Sequence, residues 1–294
     1  MANTLVYITD PQVPGGGYAD RITGMAFLHR ISESFNCNFK IHFNYPFDFF
    51  EVFPEQADNY RFDAALLNSK NQKIKVLNLI DENFNKGIDQ LCKTLISEND
   101  TTALVFINNI KPFIFDPLFN EFIPINHNQL DSDEVERSVL FHFGEKFLDP
   151  KLECFGPNIH NILPILSEDT IGIQIRLGGN NPDWIDPSFN TPDLKNIYSK
   201  LIELRSNFSQ ILISSDNVTY RNSLYELLRY EWKTIYLDET PLHLERSSKD
   251  NDNFIDRTIG DHLLLRNCSA GVIICGGGYG RTAAILSGKP YFRI

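Results

Sequence analysis

GVIICGGGYGRTAAILSG (271–288) passes from an apolar run through glycines into a helix-forming run. GVIIC (271–275) reads as a buried β-strand, three glycines follow, and RTAAILSG (281–288) reads as a helix closed by Gly288. Strand, glycine turn and helix together make the βα half of a parallel-sheet unit. Upstream, the same alternation repeats. Ile255, Ile259 and Leu263 mark a helix, TIYLD (234–238) a strand, and QILISS (210–215) another. Leu194, Ile197, Tyr198, Leu201 and Ile202 follow the i, i+3, i+4, i+7, i+8 rule of an amphipathic helix, and TIGIQIRL (170–177) is a strand before it. The acidic SSKDNDN (247–253) reads as a solvated loop.

FGPNIHNILPILSED (155–169), with two prolines and a glycine, interrupts the pattern, and a domain boundary is expected near residue 165. The two domains are then 1–165 and 166–294. In the first, TLVYIT (4–9) and FKIHF (39–43) read as strands on either side of a helix from about Arg21 to Phe35. FDAALL (62–67), IKVLNLI (74–80) and TALVFIN (102–108) add apolar runs of strand length, with helices at about 86–97 and 134–147. The fold class is therefore α/β with mainly parallel sheets.

Bulk properties narrow the function. The 27 basic and 38 acidic residues leave a net charge of −11, which argues against a nucleic-acid partner. No run approaches the length of a transmembrane span, and the start of the chain lacks the basic and apolar regions of a signal peptide. Five scattered cysteines without CxxC spacing suggest neither a disulfide framework nor a zinc site, so a cytoplasmic protein is expected. DSD (131–133) and DND (250–252) follow no strand, and the histidines show no HxxxH or HExxH spacing, so no metal is expected. GxSxG, a common hydrolase signature, is missing.

Four spots carry chemistry, and three lie at or just beyond the carboxyl end of a strand, where open α/β sheets bind ligands. PGGGYADR (14–21) offers Gly15 and Gly16 for close backbone approach, with Asp20 either an N-cap or a group facing the ligand. Arg176 ends TIGIQIR and is followed by LGGNN. Its guanidinium suits a phosphate or, alternatively, a neighbouring carboxylate. SSD (214–216) suits nucleoside recognition through Ser215 and Asp216, or the capping of a helix that begins near Val218. In CGGGYGRTAA (275–284), Gly276, Gly277, Gly278 and Tyr279 open a helix whose N–H groups can hold a diphosphate, with Arg281 and Thr282 as side-chain donors. That loop is not GxxxxGK[ST]. Nor is it a full GxGxxG, because Arg281 occupies the sixth position.

In order and spacing these four spots resemble the GDP-fucose-dependent fucosyltransferase superfamily. GGGYADRITG looks like its glycine-rich loop after the first strand, IGIQIRLGG like its HxRR or HxRxGD strand end, and ISSD like its TDD or SDD strand end. DHLLLRNCSAGVIICGGGYGRTAA is similar to its acidic helix residue followed by a strand and SS-x-x-x-R. The resemblance implies a GT-B-like fold: two Rossmann-type domains facing across a cleft, the acceptor glycan held mainly by the first and the nucleotide sugar by the second. It implies an inverting transfer without an obligatory metal or other cofactor. Arg176 and Arg281 would hold the diphosphate, Asp216 and Asp261 would serve the donor, and Asp20 is a candidate general base. Gln174, Leu177, Gly179 and the pair Gly276–Gly277 depart from the pattern, which leaves UDP-xylose or GDP-rhamnose as alternative donors. A non-catalytic carbohydrate-binding module and an NAD-dependent Rossmann enzyme are the other readings.

Overall fold

The computed structural model describes residues 3–13, 16–65, 73–80, 84–107, 113–116, 121–124, 130–166, 169–177, 191–238 and 255–294. The chain divides into two compact units, Met1–Lys151 and Leu152–Ile294.

The first unit opens with β1 (Thr4–Ile8), α1 (Tyr18–Ser34) and β2 (Asn38–His42), then two single-turn helices, α2 (Phe49–Val52) and α3 (Ala57–Tyr60). β3 (Lys73–Leu79), α4 (Phe84–Ser97) and β4 (Thr101–Ile107) follow, then a short hairpin of β5 (Phe113–Asp116) and β6 (Glu121–Pro124), and finally α5 (Leu130–Phe147). The main sheet runs β2-β1-β4-β3 and is parallel at every pairing. FDAALL does not form the expected strand. Phe62 follows an isolated bridge between Arg61 and Ile41, Ala64 and Ala65 turn, and residues 66–67 lie outside the described residues. The antiparallel β5–β6 hairpin is an element the sequence reading lacks; its strands are four residues each, too short to show a period.

α1 begins three residues earlier than expected, at Tyr18, because Gly17 caps it. Asp20 is thus the third residue of the helix rather than its cap. Its carboxylate reaches back to accept the Gly17 N–H at 2.9 Å, as the acidic member of a capping box does. Next to it, Arg21 is 1% exposed. Its guanidinium donates to the carbonyls of Gly16 (3.2 Å) and Tyr45 (3.1 Å) and lies over the Phe43 ring, so it ties the glycine turn to the end of β2.

The second unit contains α6 (Pro157–Ile162), β7 (Thr170–Ile175), α7 (Leu194–Glu203), β8 (Gln210–Ser215), α8 (Val218–Leu228) and β9 (Lys233–Tyr236). A π-helical turn over Asp256–Gly260 then runs into α9 (Asp261–Arg266), followed by β10 (Val272–Cys275), α10 (Tyr279–Leu286) and β11 (Tyr291–Arg293). The unit starts upstream of the expected boundary at 165, since the proline-rich segment is packed into it. Gly156 N–H donates to both carboxylate oxygens of Asp256, at 2.9 and 3.1 Å, and a methyl group on Gly260 would come within 2.7 Å of Ile159 Cδ1.

Its sheet runs β11-β10-β7-β8-β9, all parallel. Every residue of β7, β8 and β10 is buried, as a sheet covered on both faces requires. Alternation along the strands assigns the two faces. Ile171, Ile173, Ile175, Ile211, Ile213 and Ile273 form a core with Ile197 and Leu201 of α7 and Leu224 and Leu228 of α8. Gly172, Gln174 and Ser214 point to the opposite side, against α9 and α10. From β7 the chain moves towards β8 and β9, and from β10 it moves the other way to β11. β7 and β10 are therefore the adjacent strands from which the chain diverges, and the rule for open α/β sheets places the ligand crevice outside their carboxyl ends.

Candidate anion-binding site

That crevice is where the second unit gathers its polar residues. Arg176 directly follows β7, its N–H bonded to the Cys275 carbonyl of β10 at 3.0 Å. The guanidinium Nε lies 3.8 Å from Asp216 Oδ2, and the side chain remains one-quarter exposed. Asp216 follows β8, where its other carboxylate oxygen accepts the Leu177 N–H at 2.7 Å. Two expected site residues thus meet, and Asp216 anchors the backbone and the side chain of the β7 end together. The helix after it is capped by Asn217, whose side chain accepts the Tyr220 N–H, so Asp216 is not the cap.

The glycine turn forms the other wall. Gly276 and Gly277 have φ of +90° and +73°, a region where a side chain is strained, and together they lay the backbone open at the end of β10. Gly278 caps α10, and a side chain there would meet nothing within 4 Å. The N-terminus of α10 therefore faces open space, with the positive end of its dipole outward. Gly280 has a different duty. A methyl group on it would lie 2.7 Å from Gln174 Cβ, so only glycine lets α10 approach β7 this closely. Gly280→Ala is expected to cost the second unit about 1–3 kcal/mol by overpacking. Denaturant unfolding followed by tryptophan fluorescence checks this, both tryptophans lying in that unit.

Other expected donors are turned elsewhere. Arg281 Nε donates to the Tyr291 hydroxyl at 3.2 Å, and its guanidinium lies over that ring, which directs it along the sheet towards β11. Thr282 is buried, and its hydroxyl donates back to the Gly278 carbonyl at 2.8 Å within its own helix. Asp261 is 5% exposed; it accepts from Ser214 Oγ at 2.9 Å and pairs with Arg257 at 3.5 Å. Ser215 Oγ accepts the Asn217 N–H at 3.0 Å. Arg176, Asp216 and the 276–279 turn accordingly line the crevice, while Asp261 and Thr282 support it from beneath. Tyr279 belongs to both groups, since its hydroxyl donates to the Thr258 carbonyl and its ring packs edge-on to His262. Burial, with the Arg266 charge adding to it, holds His262 well below the usual imidazole range, so it is neutral.

Sequence reasoning missed Arg257 and Arg21. A charged residue between apolar helix positions reads as a solvent-facing one, and nothing local distinguishes these two. Gly15, in the first unit, lies outside the described residues, as do Gly179 and the DND triplet. Of the rest of that spot, Gly16 packs against Asp20, and Arg21 lines a small pocket at the carboxyl ends of β1 and β4 with Thr9, Asp10 and Phe106. No described helix is long and apolar enough to cross a membrane.

No family model matches the chain, and no curated protein matches it in sequence. Solved structures do. The chain is similar to a point mutant of Arabidopsis thaliana FUT1 in complex with GDP, at 12% identity and a TM-score of 0.61, over 100% of this chain and 70% of that one. It is also similar to POFUT1 in complex with GDP, at 8% identity and a TM-score of 0.51, over 99% of this chain and 98% of that one. Identities this low establish the fold, which is α/β and GT-B-like as the sequence led us to expect.

Proposed function

We propose that the chain is a glycosyltransferase that takes its sugar from a nucleotide diphosphate, with fucose from GDP-fucose as the first candidate donor. The observation that carries this reading is the meeting of Arg176, Asp216 and the open 276–279 turn at the point where β7 and β10 diverge. A cation, a carboxylate and outward N–H groups on one crevice suit a ligand that joins a diphosphate to a hydroxyl-bearing nucleoside. The shared fold with proteins solved with GDP supports the same choice.

In the proposed reaction an acceptor hydroxyl attacks the anomeric carbon as the bond to the diphosphate breaks. The hydroxyl proton passes to a base, and the nucleoside diphosphate leaves with the bonding pair. Arg176 and the N–H groups of the glycine turn stabilise the negative charge that grows on the leaving oxygen. These groups supply charge compensation by themselves, so no metal is required by the scheme. An acceptor glycan is assigned to the first unit. Asp20 is the candidate base, but its Oδ2 accepts the Gly17 N–H as a capping-box carboxylate does, a structural duty that favours a second, non-catalytic reading in which the chain binds nucleotide and sugar without turnover.

Thermal denaturation with GDP, UDP and NAD tests the site, and release of GDP from GDP-fucose in the presence of glycan acceptors tests turnover. Stabilisation by GDP is the expected result. UDP in its place would move the donor to the UDP-xylose class, and stabilisation by NAD alone would overturn the reading. Nucleotide binding without turnover on any acceptor would select the non-catalytic one.

A further inference from the structure

The π-helical turn at 256–260 touches both walls of the crevice from below. On one side Arg257 Nη2 donates to the Ser215 carbonyl at 3.4 Å, at the last residue of β8, and lies 3.5 Å from Asp261 Oδ2. On the other, the Thr258 carbonyl holds the hydroxyl of Tyr279, the residue that opens α10. All five residues of the turn are buried, and the Arg257 side chain is 2% exposed. Such turns insert one residue into a helix, are rare, and concentrate at functional sites.

Stability is a poor reason for that arginine. A buried ion pair is often replaced by apolar residues without loss, because desolvating both charges offsets their attraction. Arg257 Nε, moreover, has no hydrogen-bond partner among the described residues. What the guanidinium supplies that an apolar side chain cannot is direction. It joins the Ser215 carbonyl to the Asp261 carboxylate, and Asp261 holds Ser214, so two successive residues at the end of β8 are tethered from one point. The next residue is Asp216, which holds Arg176 and the Leu177 N–H.

We propose that Arg257 is a positioning residue of the anion site: its guanidinium, closed between the Ser215 carbonyl and the Asp261 carboxylate, fixes the strand end from which Asp216 aims Arg176. The proposal rests on the nucleotide reading of that site. Arg257 does not touch the ligand; it acts through Asp216 and Arg176.

The test is a double-mutant cycle read by calorimetric GDP titration, with thermal denaturation alongside. Arg257→Gln is expected to weaken GDP binding about tenfold, and the loss should disappear when Arg176 is already alanine, because the two act on one contact. Both contacts are made by the one nitrogen Nη2; Arg257→Lys keeps a charge beside Asp261 but ends one bond short of that position, so it guards against a glutamine variant that fails to fold and should show the same loss. If the wild-type chain does not bind GDP, the nucleotide reading falls and the proposal falls with it. If the wild type binds and the Arg257 variants bind equally well, or lose as much with Arg176 absent as with it present, the proposal alone is overturned.

Discussion

Arg176→Ala is expected to weaken GDP binding by about ten- to 150-fold, the equivalent of the roughly 1.5–3 kcal/mol that a hydrogen bond to a charged group contributes. The folded state should change little. Arg176 is one-quarter exposed, and its long pairing with Asp216 at 3.8 Å belongs to the class of partly solvated ion pairs that add about 0–1 kcal/mol to stability. Calorimetric titration of the variant with GDP, beside its denaturation curve, separates the two effects. Unchanged affinity would show that the diphosphate, if bound, sits elsewhere. Loss of the fold would show that the Asp216 contact is structural.

Acid is expected to loosen the first unit before its carboxylates titrate, and His29 is the cause. The ring is 4% exposed, packed edge-on against Phe39 and Phe147, with Nε2 3.1 Å from the Lys146 ammonium. An ammonium can only donate, so the imidazole nitrogen accepts and the ring is neutral. Burial first and the Lys146 charge second, with smaller repulsions from His142 and Arg30 and against the opposing pull of Glu33, lower its pKa to about 4. The pKa is thus depressed below the unfolded value of 6.5. A neutral ring binds fewer protons in the folded state than in the unfolded one, so stability is complete above pH 6.5 and falls as the pH drops towards 4. At about 1.4 kcal/mol per unit, the loss across that window reaches about 3 kcal/mol. Hydrogen exchange of the α1 and β2 amides, compared between wild type and His29→Gln, checks it. The wild type should lose protection between pH 6.5 and 4.5 relative to the variant; parallel curves would rule His29 out.

The strands β1, β4, β7, β8 and β10 and the helices α7, α8 and α10 were legible in the sequence, because a β-branched run or a 3.6-residue stripe is written in consecutive residues. Legibility failed where local signals conflict with packing. FDAALL has a strand's composition, but its described residues 62–65 have no place in the sheet beyond the Arg61 bridge. The segment 155–165 has a linker's composition, yet Ile159 and Gly156 seat it against the π-helical turn. Asp20 reads as a cap until Gly17 is seen to be one, which moves the helix start back and turns the carboxylate on its own backbone.

For the site, glycines and an arginine at the ends of parallel strands could be read from the residues in order, since strand end and loop composition are neighbours along the chain. That order did not determine which side chains face the crevice. Arg281 turns to Tyr291 only because β10 and β11 pair in parallel and bring that hydroxyl alongside. Asp261 turns inward because Ser214 and Arg257, 47 and 4 residues away, reach it from opposite elements. A side chain's direction follows the partner that lowers its desolvation cost most, and such partners are assembled by the fold, not by the order of residues.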